Sequence, residues 1–216
     1  MLTLAVDTTA EFGSIALLQN QELLEEVLLH EPQGFSGVLF QQIAPLLDRH
    51  SVTLPQIDLF AAASGPGSFT GVRIGLAAVK GLGEVLGKPV VAISNLRALS
   101  EYGSAPFRAT VIDARRGEVF AALYSDHGEA VVPEQVIQFP RFLEVLKGQE
   151  FEWIASGFDP FRAALTGTYF EHFPVIAAPR ALAATIARLA TQSPPTEAAG
   201  IEANYVRRSD AELLWK

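Results

Sequence analysis

Apolar positions along the chain fall into short runs separated by polar, glycine- or proline-containing breaks, and the runs alternate between two periods. Residues 2–6 form a compact, partly β-branched run that predicts a strand buried on both faces, ending on Asp7-Thr8-Thr9. Residues 13–18 predict a second strand, and residues 19–21 are polar and turn-like. Residues 22–29 predict a third strand completing an antiparallel meander, although residues 23–29 also fit a helix. Apolar residues then recur at Val38, Leu39, Ile43, Leu46 and Leu47, the spacing of a helix over 38–50, with Pro45 expected to kink or divide it. A strand over 58–63 leads through the loop 64–71 into a helix over 72–86, closed by Gly87 with Pro89 just beyond. A strand over 89–93 and a short helix over 95–102 complete this half.

The composition shifts at residues 103–106, which predicts two domains, 1–103 and 104–216, with the tail from about residue 200 packing back on the first. The second half predicts a hairpin of strands 109–113 and 118–124 around the turn 114–117, then a short strand over 130–132. A helix over 139–146 follows, with Pro140 in its first turn, then a strand over 151–155, a helix over 181–190 and a break at 193–195. Both halves open with a meander and continue with alternating helix and strand. This predicts an α/β class and a duplicated β-β-β-α-β-α layout, more degenerate in the second copy.

Composition narrows the functions available. The chain of 216 residues is 49% hydrophobic, so it can bury a core. It contains no cysteine, which excludes a disulfide framework, a thiolate zinc site and a cysteine nucleophile. Its formal net charge of −8 makes RNA binding by this chain alone an unfavoured expectation. The first residues lack a basic leader and no apolar run approaches a membrane span, so a soluble, cytoplasmic protein with no membrane partner is expected.

The chemistry-bearing segments each admit two readings. The segment Gly65-Pro66-Gly67-Ser68-Phe69-Thr70-Gly71 between a strand and a helix has glycines that permit close backbone approach. It also precedes a helix N-terminus able to attract an anion. Either it cradles a phosphate, or Ser68 or Thr70 simply caps the helix. It matches neither a Walker A loop, since Val72-Arg73 follow Gly71, nor the dinucleotide fingerprint, which needs glycine where Thr70 stands. In the following helix Gly71, Gly75 and Ala78 share one face. Glycine costs about 1 kcal/mol there relative to alanine, which points to another backbone close by, internal or in a second subunit. Val72, Leu76, Val79 and Leu86 form a second apolar stripe.

Asp7-Thr8-Thr9 either anchors a metal–phosphate complex or closes its own turn. Asp113, with Arg115 and Arg116, ends the matching strand of the second half; the arginines either grip phosphate, RNA or a partner's carboxylates, or sit on a solvated turn. The four histidines are scattered without metal-ligand spacing, and no Gly-x-Ser-x-Gly elbow exists.

The stretch from Gly65 to Gly81, GPGSFTGVRIGLAAVKG, closely resembles the signature of the bacterial TsaB (YeaZ-type) family. Leu4-Ala5-Val6-Asp7-Thr8-Thr9 resembles that family's first strand and turn, Asp113 to Val119 its second-half hairpin, and Tyr205-Val206-Arg207 its C-terminal segment. At the opening of the first helix only Ser36 is kept. The resemblance implies a duplicated actin/hexokinase-like (ribonuclease H-like) fold of two subdomains with mixed sheets. It implies a non-catalytic subunit required by the paralogue TsaD for N6-threonylcarbamoyladenosine formation at adenosine 37 of tRNAs reading codons that start with A. It further implies a third partner, the ATPase TsaE, a homodimer when TsaD is absent, and tRNA contact only through the complex. No intrinsic cofactor is implied; ATP and metal belong to the partner subunits. The expected partner interface comprises Gly65, Gly67, Gly71, Arg73, Gly75 and Ala78, with Arg115, Arg116 and Arg207 as partner or RNA contacts. Asp7, Thr8, Thr9 and Asp113 remain the candidates for nucleotide binding, and an ATP-dependent small-molecule kinase of the same fold is the alternative function.

Overall fold

The structure is a computed structural model that describes residues 1–32 and 34–206. The chain forms two compact units. The first comprises Met1–Ala98 and Arg180–Asn204, and the second is built on Leu99–Pro179.

In the first unit, β1 (Leu2–Asp7), β2 (Phe12–Gln19) and β3 (Glu22–His30) make the antiparallel meander. The strand reading of residues 22–29 prevails over the helical one. Arg49 donates to both carboxylate oxygens of Glu25 on β3, at 3.1 and 2.7 Å, and this fork holds the Glu25 carboxyl below its ordinary value. Two strands, β4 (Leu59–Gly65) and β5 (Val90–Ser94), add in parallel, giving the order β3-β2-β1-β4-β5. Helix α1 (Leu39–Arg49) runs through Pro45 without dividing. Pro45 and Gln41 both lie on the exposed side, so the Gln41 carbonyl that loses its i+4 donor faces water. The opposite side of the helix buries Leu39, Ile43, Leu46 and Leu47. Helix α2 (Phe69–Leu86) begins three residues earlier than the apolar pattern predicts, because Ser68 caps it by accepting from Gly71 N at 3.3 Å. It ends on Gly87, whose φ of 61° lies in the left-handed region. The short helix α3 (Asn95–Ser100) follows β5.

The second unit repeats this plan. Strands β6 (Phe107–Arg115), β7 (Glu118–Ser125) and β8 (Ala130–Gln138) form the meander, while β9 (Glu152–Ala155) and β10 (Val175–Ala177) add in parallel. The order β10-β9-β6-β7-β8 is the first sheet's order read from the other edge. Helices α4 (Phe139–Val145) and α5 (Asp159–Leu165) follow β8 and β9, as α1 and α2 follow β3 and β4. The apolar pattern had revealed neither α5 nor β10, and it saw only the first residues of β8. The core around Trp153 is aromatic, with Phe139, Phe142, Phe151, Phe158, Phe161 and Phe170. This repeated topology, two mixed five-stranded sheets with one strand order, is the duplicated actin/hexokinase-like (ribonuclease H-like) fold.

The last α-helix among the described residues, α6 (Ala183–Gln192), follows β10 in the chain but belongs to the first unit, where it packs on β1, β2 and β4. The composition shift at 103–106 places residues 104–216 in the second domain, with the chain returning near residue 200. In the structure the return begins at Arg180, and the first unit already ends at Ala98. The reason is steric and polar at once. Ala183, Ala184, Ala187 and Ala190 are buried, so the helix can approach the sheet closely. No side chain of its own caps it. Instead Ser14 Oγ on β2 accepts from Leu182 N and Ala183 N at 3.1 and 2.9 Å, and Glu26 Oε1 on β3 accepts from Ala184 N at 2.8 Å. These acceptors satisfy N–H groups that a helix start leaves unpaired. Replacing Ser14 with alanine is expected to destabilise the fold by about 1–2 kcal/mol, as loss of an N-cap does. Thermal melting of the Ser14→Ala variant measures this, with a fall of about 2–4 °C per kcal/mol.

Candidate functional site

The C-terminal ends of β1, β4 and β5 bring together the Asp7 turn, the glycine loop and Asn95. Asp7 is only 2% exposed. Its Oδ1 accepts from Thr9 N at 2.9 Å and from Thr9 Oγ1 at 2.6 Å, which closes the turn locally. Asn95 Nδ2 donates to Thr9 Oγ1 at 2.8 Å and approaches Asp7 Oδ2 at 3.3 Å, while Asn95 Oδ1 accepts from Gly65 N at 3.0 Å. One buried amide thus ties three strand ends together. Burial pushes the Asp7 carboxyl above its ordinary value near 3.8, and the bonds from Thr9 and Asn95 offset part of that rise.

The glycine loop lies on this turn by backbone contact. Ser68 N donates to Thr9 O at 2.6 Å, and Thr8 Oγ1 donates to Gly71 O at 2.7 Å. A Cβ at Gly67 would overlap the Thr9 carbonyl oxygen, and one at Gly71 would overlap that of Thr8. At Gly75 a Cβ would stand 2.8 Å from Thr8 Oγ1. Gly65, at φ 94°, occupies backbone space that favours glycine.

The glycine face of α2 therefore has its close partner inside the chain. Gly65, Gly71, Gly75 and Ala78, expected at a subunit interface, are buried within the first unit, and Gly67 is half-buried. The second stripe, Val72, Leu76 and Val79, enters the core as well. What α2 presents to solvent is a third stripe that the sequence reading did not single out: Phe69, Arg73, Ala77, Gly81 and Val85, four residues apart. Only Arg73 of the expected interface residues lies on it, with its guanidinium 3.7 Å from the Phe69 ring centroid. Val85 is 84% exposed, and nothing lies within 4 Å of a Cβ built on Gly81. Asn95 was also missed; an Asn after a strand reads locally as a helix start.

The second unit repeats the turn in an open form. Asp113 Oδ1 accepts from Arg115 N at 2.8 Å, as Asp7 does from Thr9 N, but Asp113 is only half-buried. Arg115 pairs with Asp113 at 3.5 Å and is otherwise solvated. Arg115, Arg116 and Gly117 have φ of 66°, 57° and 76°. Left-handed backbone at a non-glycine residue costs on the order of 1 kcal/mol or more. Arg207, and Arg208 beside it, lie outside the described residues. Among the described residues no three His, Asp or Glu side chains cluster as metal ligands, and no helix is long and apolar enough to cross a membrane.

Comparison with known proteins agrees with this fold. The family described as "TsaD: tRNA N6-adenosine threonylcarbamoyltransferase" matches residues 33–200. The Bacillus subtilis tRNA threonylcarbamoyladenosine biosynthesis protein TsaB is 28% identical, over 100% of this chain and 98% of its own length. The TsaB of Haemophilus influenzae is 32% identical over 71% of each chain. The solved structure of YeaZ from Pseudomonas aeruginosa superposes with a TM-score of 0.75 at 27% identity, covering 94% of this chain and 99% of that one.

Two measurements check the site. Gly71→Ala is expected to destabilise the protein by about 3 kcal/mol through overpacking, whereas Gly81→Ala, in open space, gains up to about 1 kcal/mol of helix propensity; denaturant unfolding of the pair reads both. For Asp7 the sign follows from its raised value. The folded state binds the proton more tightly than the unfolded one, so ionisation weakens the fold as pH rises above about 4. The stability of Asp7→Asn relative to wild type should therefore increase as pH rises above about 4, read as the difference in melting temperature.

Proposed function

The chain belongs to the TsaB (YeaZ-type) family of tRNA threonylcarbamoyladenosine biosynthesis proteins, and on that premise we propose that it is the non-catalytic partner of a TsaD-type transferase. The family takes part in tRNA threonylcarbamoyladenosine biosynthesis, and this chain takes part in the same process. The single observation that carries the finer reading is how α2 is used. Its glycine face and its apolar stripe are both buried in the first unit, yet a third stripe of Phe69, Ala77, Gly81 and Val85 stays exposed. The small side chains at its centre allow another helix to approach closely, and the apolar ends supply area to bury. We assign this stripe to the matching helix of the transferase, or to a second copy of this chain when the transferase is absent.

The Asp7 turn supports a scaffold role from the other side. Both carboxylate oxygens are engaged internally, and Gly67 lies against the Thr9 carbonyl where a phosphate would need free N–H groups. The kinase alternative therefore gains no support from Asp7. In this reading ATP and metal act on the partner subunits, the TsaE-type ATPase joins the pair, and the assembly works on tRNA in the cytoplasm.

The test is complex formation between the full chain and its cognate transferase, measured by light scattering. Wild type should form a stable complex, and Gly81→Arg should weaken it at least about a hundred-fold, the scale of a disrupted hot spot, while remaining folded. Gly75→Arg would instead report on folding, because Gly75 is buried. An unaffected Gly81→Arg complex would move the interface off α2. No wild-type complex, together with saturable ATP hydrolysis lost in Asp7→Asn, would favour the kinase.

A further inference from the structure

The turn joining β6 and β7 carries two arginines on backbone that favours glycine. Arg115 pairs in register with Glu118, so Arg116 and Gly117 form a two-residue hairpin loop with positive φ at both positions. Arg115 adds a third left-handed residue where the register shifts after Asp113. Strained backbone of this kind persists where surrounding structure holds it. Here Phe139 N, at the start of α4, donates to Gly117 O at 3.2 Å, and Gln138 pairs with Glu118. This bracing brings a third arginine to the same end of the sheet: Arg141, within one helical turn of Phe139. All three are exposed, and Arg115 is 86% exposed along its side chain. Neither Arg116 nor Arg141 is engaged in an ion pair with a described residue. Asp113, Glu118 and Glu144 are acidic neighbours; Asp113 holds the Arg115 backbone, and Glu144, one turn after Arg141, pairs with Lys147.

We propose that Arg115, Arg116 and Arg141 form a phosphate-gripping cluster at this end of the second sheet, through which the subunit holds the RNA backbone of the tRNA bound by the assembled complex. The inference rests on the function proposed above and deepens it. Guanidinium forks match phosphate oxygens bidentately. A protein partner would instead demand an apolar centre to the surface. Among the described residues, the exposed large apolar side chains of this unit, Val131, Val145, Tyr169 and Tyr205, belong to neither the hairpin turn nor the first turn of α4. On a chain of net charge −8, the three arginines and Lys147 outnumber Asp113, Glu118 and Glu144 at this end by one, a small positive excess that a polyanion can use only when other subunits contribute the rest.

The experiment uses the full chain in complex with its transferase partner and titrates it with an unmodified tRNA transcript at several salt concentrations. The informative variant is Arg115→Gly with Arg116→Gly, since glycine suits the left-handed backbone and removes both side chains without a folding penalty. Arg141→Ala is the second. Each lost arginine should weaken tRNA binding about ten-fold, the scale of a charge-assisted hydrogen bond. Each should also reduce the slope of log affinity against log salt by about 0.7–0.9, while the protein complex stays intact. Unchanged affinity and slope in an intact complex would overturn the assignment. Loss of the transferase complex in these variants would also overturn it and make the hairpin a protein contact. Failure of the wild-type chain to bind the transferase at all would instead overturn the proposed function, and this inference with it.

Discussion

The contact between the Asp7–Thr9 turn and the start of α2 constrains everything around it. Backbone meets backbone there, with Ser68 N on Thr9 O and Thr8 Oγ1 on Gly71 O. Side chains at 67 or 71 would occupy the space of those carbonyls. Glycines are costly inside a helix, and their cost is offset by closing three strand ends around a fully bonded carboxylate. Once this contact exists, α2 is fixed in rotation. Its small face looks inward, its Val72, Leu76 and Val79 stripe enters the core, and the Phe69 to Val85 stripe is left outside. The proposed partner surface is thus a by-product of an internal packing requirement.

Duplication explains why the two halves look alike and behave differently. Each begins with a meander, each carries an aspartate at or within two residues of the end of its first strand, and each aspartate accepts from the backbone N–H two residues on. In the first half the turn is buried beneath a helix N-terminus. In the second, the hairpin turn of Arg115, Arg116 and Gly117 follows and the aspartate stays half-open. One copy has become structural; the other has kept charged groups facing water. Helix α6, which follows the second repeat along the chain, packs on the first sheet, where Ser14 and Glu26 supply its N-terminal acceptors.

Much of the fold was legible along the chain. Strands at 2–6 and 13–18, the helix ending at Gly87 and the repeated meander follow from apolar period and glycine or proline punctuation, which are local properties. The short elements α5 and β10 were not legible. Seven and three residues are too few to establish a period, and their burial depends on the aromatic core around Trp153. Pro45 misled because the penalty of a helix proline depends on which side faces water, and periodicity alone does not rank that against the burial of Leu46 and Leu47.

At the site, sequence alone determined that α2 needs a close backbone neighbour, because glycine and alanine at 71, 75 and 78 share one helical face whatever the surroundings. It also determined the family, through the run from Gly65 to Gly81, in which Gly67, Gly71 and Gly75 carry that constraint. Tertiary structure decided the identity of the neighbour, an internal turn, and with it the face of α2 left exposed to solvent. It also decided that Asn95 joins three strands and that Ser14 caps a helix 169 residues away in the chain. The physical reason is range. Propensity, period and turn chemistry act over a few residues, whereas the donor that meets a given acceptor is selected by packing between segments far apart in sequence.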